Sequence, residues 1–331
     1  MNVLIIGAGA VGLALGASLY EAGESVRYWL GETGPGEEPP QHLIETRGIV
    51  RTGLFGEVRV PASEVEVWRR PEAFRDADLD FVLVCTKTTA NAEIAALLGS
   101  RWYELAAEPR VVLCQNGWGN AERFAARLPR EQLDNARIIT GFRRHTPHRV
   151  EVTVHADAIH LGNLFGAEQG PLELLAEALT RGGLPCRAVP DIERDLWAKV
   201  LYNCLLNPLG ALVRVPYGAL GEREETRAVM EAVAGEIFDV LAASGRRTHW
   251  ETAEDYLRTF YATLLPATAE HESSMLQDLE AGRPTEIDSL CGAIARLGGL
   301  SAVETPANAA LTALVHAAET RGGAPALISD P

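Results

Sequence analysis

The chain begins with a short apolar run that leads directly into a glycine-rich segment. Residues Val3–Ile6 are typical of a buried parallel strand, and the sequence GAGAVG follows them. Gly7 permits a tight turn, and Gly9 lets a pyrophosphate approach the amides of a helix that opens at Ala10. Gly12 lets that helix pack closely on the strand. This order of elements predicts a dinucleotide-binding unit. The alternative is a glycine turn that binds nothing.

The end of the second strand is where such a unit selects between the two nicotinamide cofactors. Residues 25–30 are predicted to form this strand, and Gly31 and Glu32 follow it. An acidic residue here bonds the ribose hydroxyls of NAD(H), whereas an arginine accepts the 2′-phosphate of NADP(H). Glu32 therefore favours NAD(H). The alternative is that Glu32 belongs to a solvated loop and that Arg27 or Arg47 meets a phosphate, and the two interpretations stay open.

Strand and helix patterns alternate through the first 190 residues, which predicts a parallel sheet with helices on both faces. We expect further strands at 81–85, 111–114, 137–140, 151–154, 158–161 and 186–189, and helices at 10–21 (ending at Gly23), from 91 and at 171–180.

After Pro190 the helical period dominates, in segments at 192–207, 221–244, 251–280, 286–297 and 305–321. The predicted fold class is α/β, with an N-terminal Rossmann-type dinucleotide-binding domain and a C-terminal all-α domain that carries substrate binding and catalysis. We expect these domains at 1–190 and 191–321, followed by a flexible tail at 322–331.

Composition limits the classes of partner. The 331 residues carry a formal net charge of -15, which disfavours nucleic acid and anionic membrane surfaces. We expect no signal peptide and no membrane span. Five scattered cysteines without metal-ligand spacing indicate a reduced, cytoplasmic protein. His145 and His148 are a close pair without a third ligand, so no metal site is predicted.

Lysine is unusually rare: of the 30 basic residues only Lys87 and Lys199 are lysines. Arginine cannot be deprotonated in proteins, whereas lysine can exchange a proton. Lys199, Asn203 and Asn207 are spaced i, i+4 and i+8 within an otherwise apolar helical segment, so they share one stripe. A polar stripe on such a helix suggests a lined cleft. The alternative is a stripe that faces water.

A second polar cluster lies further along the chain, as SSMLQD at 273–278 and GRPTEID at 282–288. Thr285 and Asp288 have the spacing of a capping box, which would put Glu286 in the first turn of a helix. Glu286 is then either an ionised carboxylate beside the cleft or only a residue that starts a helix.

Together these motifs resemble the ketopantoate reductase (2-dehydropantoate 2-reductase) family. The resemblance rests on LWAKVLYNCLLNP at 196–208, on the two segments of the second cluster, on the opening glycines, on Thr86-Lys87 and on Gln115-Asn116-Gly117. It runs from residue 1 to about 310, with the motifs in order across both predicted domains.

The resemblance implies hydride transfer from NADPH to the ketone of 2-dehydropantoate, giving (R)-pantoate for coenzyme A biosynthesis. It implies that Lys199 protonates the developing alkoxide and that Glu286 orients the substrate and Lys199. It further implies that the substrate is held by Asn203, Asn207 and Ser274, and that Lys87 and Asn116 contact the nicotinamide end of the cofactor. A homodimer formed through the helical domain is also expected.

The chain departs from the family pattern at three places, one of which is a loop at 31–40 that is rich in proline and glutamate. Gly31 stands where the family usually has an arginine that reads the NADP phosphate, which leaves NADH open as the cofactor. The threonine-rich strand end of the family becomes TGFRRH at 140–145, where Arg143 or Arg144 could pair with an extra carboxylate on another 2-oxo acid. A nucleotide sensor without catalysis is the competing class, and it would not need the Lys199 stripe.

Overall fold

The computed structural model describes residues 1–30 and 42–321 and divides the chain into two compact units. Of the described residues, the first unit comprises 1–30, 42–115 and 120–192, and the second comprises 116–119 and 193–321. Gly31, Glu32 and the predicted flexible tail at 322–331 lie outside the described residues.

The first unit is built on an eight-stranded sheet. Its strands, in spatial order, are β12 (Cys186–Ala188), β11 (Ile159–Asn163), β8 (Leu133–Arg137), β7 (Arg110–Leu113), β6 (Phe81–Val84), β1 (Asn2–Ile6), β2 (Ser25–Trp29) and β5 (Glu66–Trp68). All neighbouring pairs are parallel except β11 with β8. The predicted α/β class with a largely parallel sheet is confirmed.

The central strand β1 is apolar along its whole length because both of its faces are covered. Val3 and Ile5 belong to one hydrophobic cluster, and Leu4 and Ile6 belong to another on the opposite face. Successive side chains of a strand point to opposite faces, so an unbroken apolar run is what a doubly covered strand requires. The helices of this unit are α1 (Ala10–Glu21), α2 (His42–Arg47), α3 (Asn91–Arg101), α4 (Asn120–Ala125) and α5 (Gly170–Arg181).

A second sheet of four strands was not predicted. Its spatial order is β4 (Val58–Val60), β3 (Ile49–Gly53), β10 (Arg149–His155) and β9 (Thr140–Thr146). It packs against α1, which therefore lies between two sheets and is buried from Gly12 to Leu19. The strand predicted at 137–140 is wrong, because Arg137 ends β8 and Thr140 begins β9.

The helix α1 ends as predicted, at a glycine in the left-handed conformation. Gly23 has φ +83°, its N–H donates to the carbonyl of Tyr20, and the N–H of Glu24 donates to the carbonyl of Leu19. This pair of bonds satisfies carbonyls that the end of a helix leaves open.

Within its described residues the second unit is helical. Its helices are α6 (Ile192–Val213), α7 (Tyr217–Glu222), α8 (Glu224–Ala243), α9 (Ala253–Thr259), α10 (Ser274–Glu280), α11 (Cys291–Ser301) and α12 (Pro306–Arg321). The single helix predicted over 251–280 is wrong. After α9 the chain makes a π-helical turn at Phe260–Leu264 and a 3₁₀ turn at Pro266–Thr268. Pro266 has no N–H with which to continue the α-helical bonds.

The helix α6 is long and apolar enough to cross a membrane by length and composition alone, and 72% of its most apolar window is buried inside the protein. The buried central helix of a folded domain has the same properties, so this feature is weak evidence for a membrane span.

Candidate active site

The glycine-rich turn between β1 and α1 is shaped by the protein's own packing at two positions. Gly7 has φ +103°, and a Cβ there would lie 2.9 Å from the backbone nitrogen of Thr86. A Cβ on Gly12 would lie 2.1 Å from the carbonyl oxygen of Gly7. Both positions therefore require glycine whether or not a ligand binds.

Gly9, unlike Gly7 and Gly12, is not required by the packing of the protein itself. A Cβ on Gly9 would meet only the carbonyl oxygen of Cys85, at 3.9 Å, so the space beside it is open. Gly9 is the N-cap of α1 without a side-chain cap, and the first turn, which starts at Ala10, holds no acidic residue. Open space next to uncapped helix amides fits the pyrophosphate of a dinucleotide.

Lys87 follows β6, so it lies at the same carboxyl edge of the parallel sheet as the glycine-rich turn after β1. Its side chain is half-buried. The loop that carries it is held by Gln115, whose Nε2 donates to the Thr86 carbonyl at 2.9 Å and to Asn91 Oδ1 at 2.6 Å. Ligands of parallel sheets bind at this edge. In the sequence Gln115 stood out only as part of a motif, and no pattern indicated this role of Asn91.

Arg27, one of the two arginines that could meet a 2′-phosphate near the second strand, has a protein partner. Arg27 Nε donates to Glu66 Oε2 at 2.9 Å, across the pair formed by β2 and β5. Arg47, the other candidate, is exposed at the end of α2.

The polar stripe of α6 does not face water at its two asparagines. Asn203 is 9% exposed and Asn207 is 6% exposed, while Lys199 is half-buried. The apolar residues of the same segment are also buried, so α6 is enclosed on most sides. The interpretation of the stripe as a solvated face is wrong, because buried amides need hydrogen-bond partners.

Asn207 is held in place by residues from two other segments. Ser273 Oγ donates to the Asn207 backbone carbonyl at 2.8 Å, and the Tyr217 hydroxyl donates to Asn207 Oδ1. Burial raises the pKa of Tyr217, so the hydroxyl stays protonated and able to donate. Nothing in the sequence pattern singled out Tyr217, and Ser273 stood out only as part of the SSMLQD motif.

Pro208, inside α6, explains a further contact. Proline has no N–H, so the carbonyl of Cys204, four residues earlier, loses its helical donor. The Cys291 thiol lies 3.8 Å from that carbonyl and donates to it. Burial raises the pKa of the Cys204 thiol, and both thiols are free. These cysteines support the helix rather than acting as reactive groups.

Ser274, predicted to bind substrate, is the first residue of α10, and its side chain is exposed. Its neighbour Ser273 is fully buried and caps α10, because its Oγ accepts from the N–H groups of Met275 and Leu276. Serine's preference for the N-cap is the signal that could have identified Ser273 from the sequence.

Glu286 lies outside any α-helix, so the predicted capping box is wrong. It precedes a 3₁₀ turn at Ile287–Ser289, and α11 begins only at Cys291. Thr285 Oγ1 accepts from the N–H of Ile287. Asp288 Oδ1 is bonded to the His316 ring at 3.0 Å instead of capping a helix.

Glu286 and Asn116 are brought together within the second unit. Asn116 Nδ2 donates to Glu286 Oε2 at 3.2 Å. The loop of Asn116 is anchored there, because the Trp118 N–H donates to the Ser289 carbonyl at 2.8 Å and the Trp118 ring stacks on Trp197 with centroids 4.3 Å apart. Trp197 precedes Lys199 by two positions on α6. Nothing in the sequence pattern singled out this stack.

The two units therefore hold different predicted groups. Gly7, Gly9, Ala10, Gly12 and Lys87 belong to the first unit. The second unit holds the remaining residues, namely Asn116, Lys199, Asn203, Asn207, Ser274 and Glu286. An ammonium, a carboxylate and several amides can bind and protonate a polar organic molecule. Within residues 1–30 and 42–321, no group of three or more His, Cys, Asp or Glu could hold a metal ion.

Comparison with known proteins connects this site to a family. The family described as ketopantoate reductase PanE/ApbA matches residues 3–166, and its C-terminal counterpart matches residues 191–319. The chain belongs to the ketopantoate reductase family. Ketopantoate reductases are pyridine-nucleotide-dependent oxidoreductases, so this protein is an enzyme that acts on a small keto acid. The interpretation as a sensor without catalysis is therefore set aside.

Individual relatives agree over nearly the full length. The 2-dehydropantoate 2-reductase of Aquifex aeolicus is 33% identical over 324 residues, covering 96% of this chain and 97% of the relative. The enzyme of that name from Archaeoglobus fulgidus is 30% identical over 330 residues, covering 96% and 98%.

Solved structures give the same result. A PanE/ApbA family ketopantoate reductase from Ralstonia eutropha JMP134 superposes with a TM-score of 0.81 at 29% identity, covering 97% of this chain and 99% of that one. D-mandelate dehydrogenase, solved with NADH and anilino(oxo)acetate, superposes with a TM-score of 0.83 at 23% identity, covering 98% and 100%. The latter likeness shows a shared fold.

Proposed function

We propose that this ketopantoate reductase family member reduces 2-dehydropantoate to (R)-pantoate, a step that serves coenzyme A biosynthesis. The observation that carries the proposal is the inward stripe of α6, on which buried Asn203 and Asn207 align with half-buried Lys199. Buried amides next to a lysine suit a substrate that carries a carboxylate, a hydroxyl and a ketone.

Reduction of a ketone requires one hydride and one proton. A reduced nicotinamide, when bound, supplies the hydride. The Lys199 ammonium stabilises the negative charge that develops on the carbonyl oxygen and gives that oxygen a proton, and the resulting amine is reprotonated from water. Asn203, Asn207 and Ser274 hold the substrate's hydroxyl and carboxylate groups.

Glu286 is proposed to orient the substrate and Lys199. Its hydrogen bond from Asn116 supports this role, because a carboxylate held by an amide has a defined direction. Lys87 and Asn116 are proposed to contact the nicotinamide end of the cofactor. Gly7, Gly9, Ala10 and Gly12 are proposed to receive the pyrophosphate.

NADPH is the proposed reductant, on the basis of family membership. NADH is the alternative, because Gly31 and Glu32 stand where the family usually has an arginine. The ion pair of Arg27 with Glu66 favours NADH, since it engages one candidate for the 2′-phosphate.

A second candidate function is reduction of a different 2-oxo acid. The feature that favours it is the TGFRRH strand end, which becomes β9 and exposes Arg143 and Arg144. An exposed guanidinium can pair with an additional carboxylate on a substrate.

The experiment follows oxidation of NADPH and of NADH with ketopantoate and with a panel of 2-oxo acids that includes dicarboxylic and aromatic members. We expect the highest kcat/KM with ketopantoate and formation of the (R) alcohol. A higher kcat/KM for another acid would replace ketopantoate as the substrate. The ratio of kcat/KM between the two cofactors decides the reductant.

We further propose a homodimer formed through the helical unit and located in the cytoplasm. Leu300 at the end of α11 is 80% exposed and Leu314 on α12 is 55% exposed, which supports a contact at that surface. Five free cysteines support a reducing compartment. Light scattering of the wild type and of L300E/L314E tests the dimer, and a monomeric wild type would refute it.

A further inference from the structure

Arg144 reaches the glycine-rich turn. Its guanidinium Nη1 donates to the carbonyl oxygen of Ala8 at 3.2 Å, although the two residues are 136 positions apart. Ala8 lies between Gly7 and Gly9, so this arginine contacts the turn itself. The side chain of Arg144 is nevertheless exposed to solvent.

The second sheet directs Arg144 to this position. In β9, Arg144 is opposite Val150 and Arg143 is opposite Glu151 of β10. Adjacent residues of a strand point to opposite faces, so Arg143 and Arg144 diverge. The second sheet packs on α1. Of the two arginines, Arg144 contacts the turn that precedes α1, through the carbonyl of Ala8.

A cation at this turn attracts an anionic ligand to an otherwise acidic protein. The protein carries a net charge of -15, and a nicotinamide dinucleotide is also an anion, so their long-range interaction is repulsive. The first turn of α1 supplies backbone amides and no basic side chain. An arginine has five N–H donors, so a bond to one carbonyl is compatible with a bidentate bond to a phosphate.

We propose that Arg144 is a phosphate-binding residue of the dinucleotide site, with its guanidinium bonded to a pyrophosphate oxygen of the cofactor. The proposal rests on nicotinamide-dependent reduction as the function of this protein. The pyrophosphate is common to both cofactors, so Arg144 strengthens binding of NADH and NADPH equally and does not discriminate between them.

The test measures cofactor binding without any keto acid, so it is independent of which substrate the enzyme reduces. Titrations that follow nicotinamide fluorescence give Kd for NADPH and NADH, and displacement of NADH gives Kd for ADP-ribose, which has the pyrophosphate but neither nicotinamide nor 2′-phosphate. The variants are R144Q and, as the matched control on the opposite face of the same strand, R143Q. Thermal melting of both apo variants verifies folding.

We expect R144Q to raise Kd for all three ligands by a common factor of about ten or more, as expected on losing a charge-assisted hydrogen bond. The Kd values of R143Q should stay within about twofold of the wild type. Those of R144K should lie between the values of R144Q and the wild type, because lysine keeps the positive charge but lacks the planar set of guanidinium donors.

Three results would overturn the assignment. Unchanged Kd values in R144Q would make Arg144 a bystander. A weaker affinity for NADPH alone would place Arg144 on the 2′-phosphate. Unchanged cofactor Kd with a raised KM for the keto acid would place Arg144 on a substrate carboxylate.

Discussion

The carboxamide of Asn116 and the carboxylate of Glu286 are joined by a hydrogen bond of 3.2 Å across 170 positions of sequence. Asn116 directly follows Gln115, which belongs to the unit that contains the sheets, yet Asn116 belongs to the helical unit. The close approach of this loop to Ser289 requires glycine at position 117. Gly117 has φ +86°, and a Cβ there would lie 2.2 Å from the Ser289 carbonyl oxygen. A residue proposed to contact the cofactor is thus hydrogen-bonded to one proposed to orient the substrate.

That bond predicts the consequence of neutralising Glu286. E286Q keeps the size of the side chain but removes its charge, so it weakens the bond with the Asn116 amide and removes the proposed attraction to the Lys199 ammonium. We expect kcat/KM to fall by roughly 10²-fold with little change in melting temperature. The control is E304Q, which alters an exposed carboxylate of the same unit instead. Wild-type kinetics in E286Q would exclude Glu286 from the site.

Replacement of Lys199 tests the proton donor. K199A should lower kcat by several orders of magnitude, about 10²–10⁴-fold for the lost acid alone. K199R keeps a positive charge but cannot release its proton, so it should also be severely impaired. Stopped-flow turnover is compared with cofactor Kd, which should be nearly unchanged. If K199R turned over like wild type, charge rather than proton transfer would be the function of Lys199.

Tyr217 should support Asn207 through one hydroxyl group. Y217F removes the donor to Asn207 Oδ1 and leaves that buried oxygen without it, which should cost about 1–3 kcal/mol of unfolding free energy. We also expect a raised KM for the keto acid, since the carboxamide loses its fixed orientation. Urea unfolding and steady-state kinetics measure the two effects. Y202F, which loses a bond to Thr268 instead, serves as the control, and an equal KM increase in it would contradict this role.

His316 predicts a pH-dependent contribution to stability. Its ring lies 2.8 Å from Glu319 Oε2 and 3.0 Å from Asp288 Oδ1. The bond to Glu319 raises the pKa of His316 most, partial burial opposes this, and Asp288 raises it further. A raised folded-state pKa means that the stabilisation is fully present below the unfolded value, about 6.5, and is lost as pH rises through the folded value.

We therefore expect H316N to lower the melting temperature below pH 6.5 and to approach the wild type at higher pH. The effect should be near 0.5 kcal/mol, because the ring is 44% exposed and solvent screens the ion pairs. H249N, at another exposed histidine paired with an aspartate, is a comparison at a different helix. A deficit that grows with pH would contradict the sign of the shift.

The sequence by itself determined the features that depend on neighbours in the chain. The strand, turn and helix around Gly7 and Gly12 follow from local sterics, and the stripe of Lys199, Asn203 and Asn207 follows from the helical period. The order of strands and helices likewise predicted a parallel sheet followed by a helical unit, because the hydrophobic period changes at Pro190.

Only the tertiary structure decided which distant residues meet. Thr285 and Asp288 have the local spacing of a capping box. The box does not form, because Asp288 is instead bonded to His316 of α12. Three features join segments that lie more than 80 positions apart in the sequence. They are the pairing of β3 with β10 in the second sheet, the attachment of Asn116 to Glu286 and the contact of Arg144 with Ala8. Such contacts form because packing and hydrogen bonding of buried groups stabilise them. No periodicity in the sequence indicates which distant residue becomes the partner.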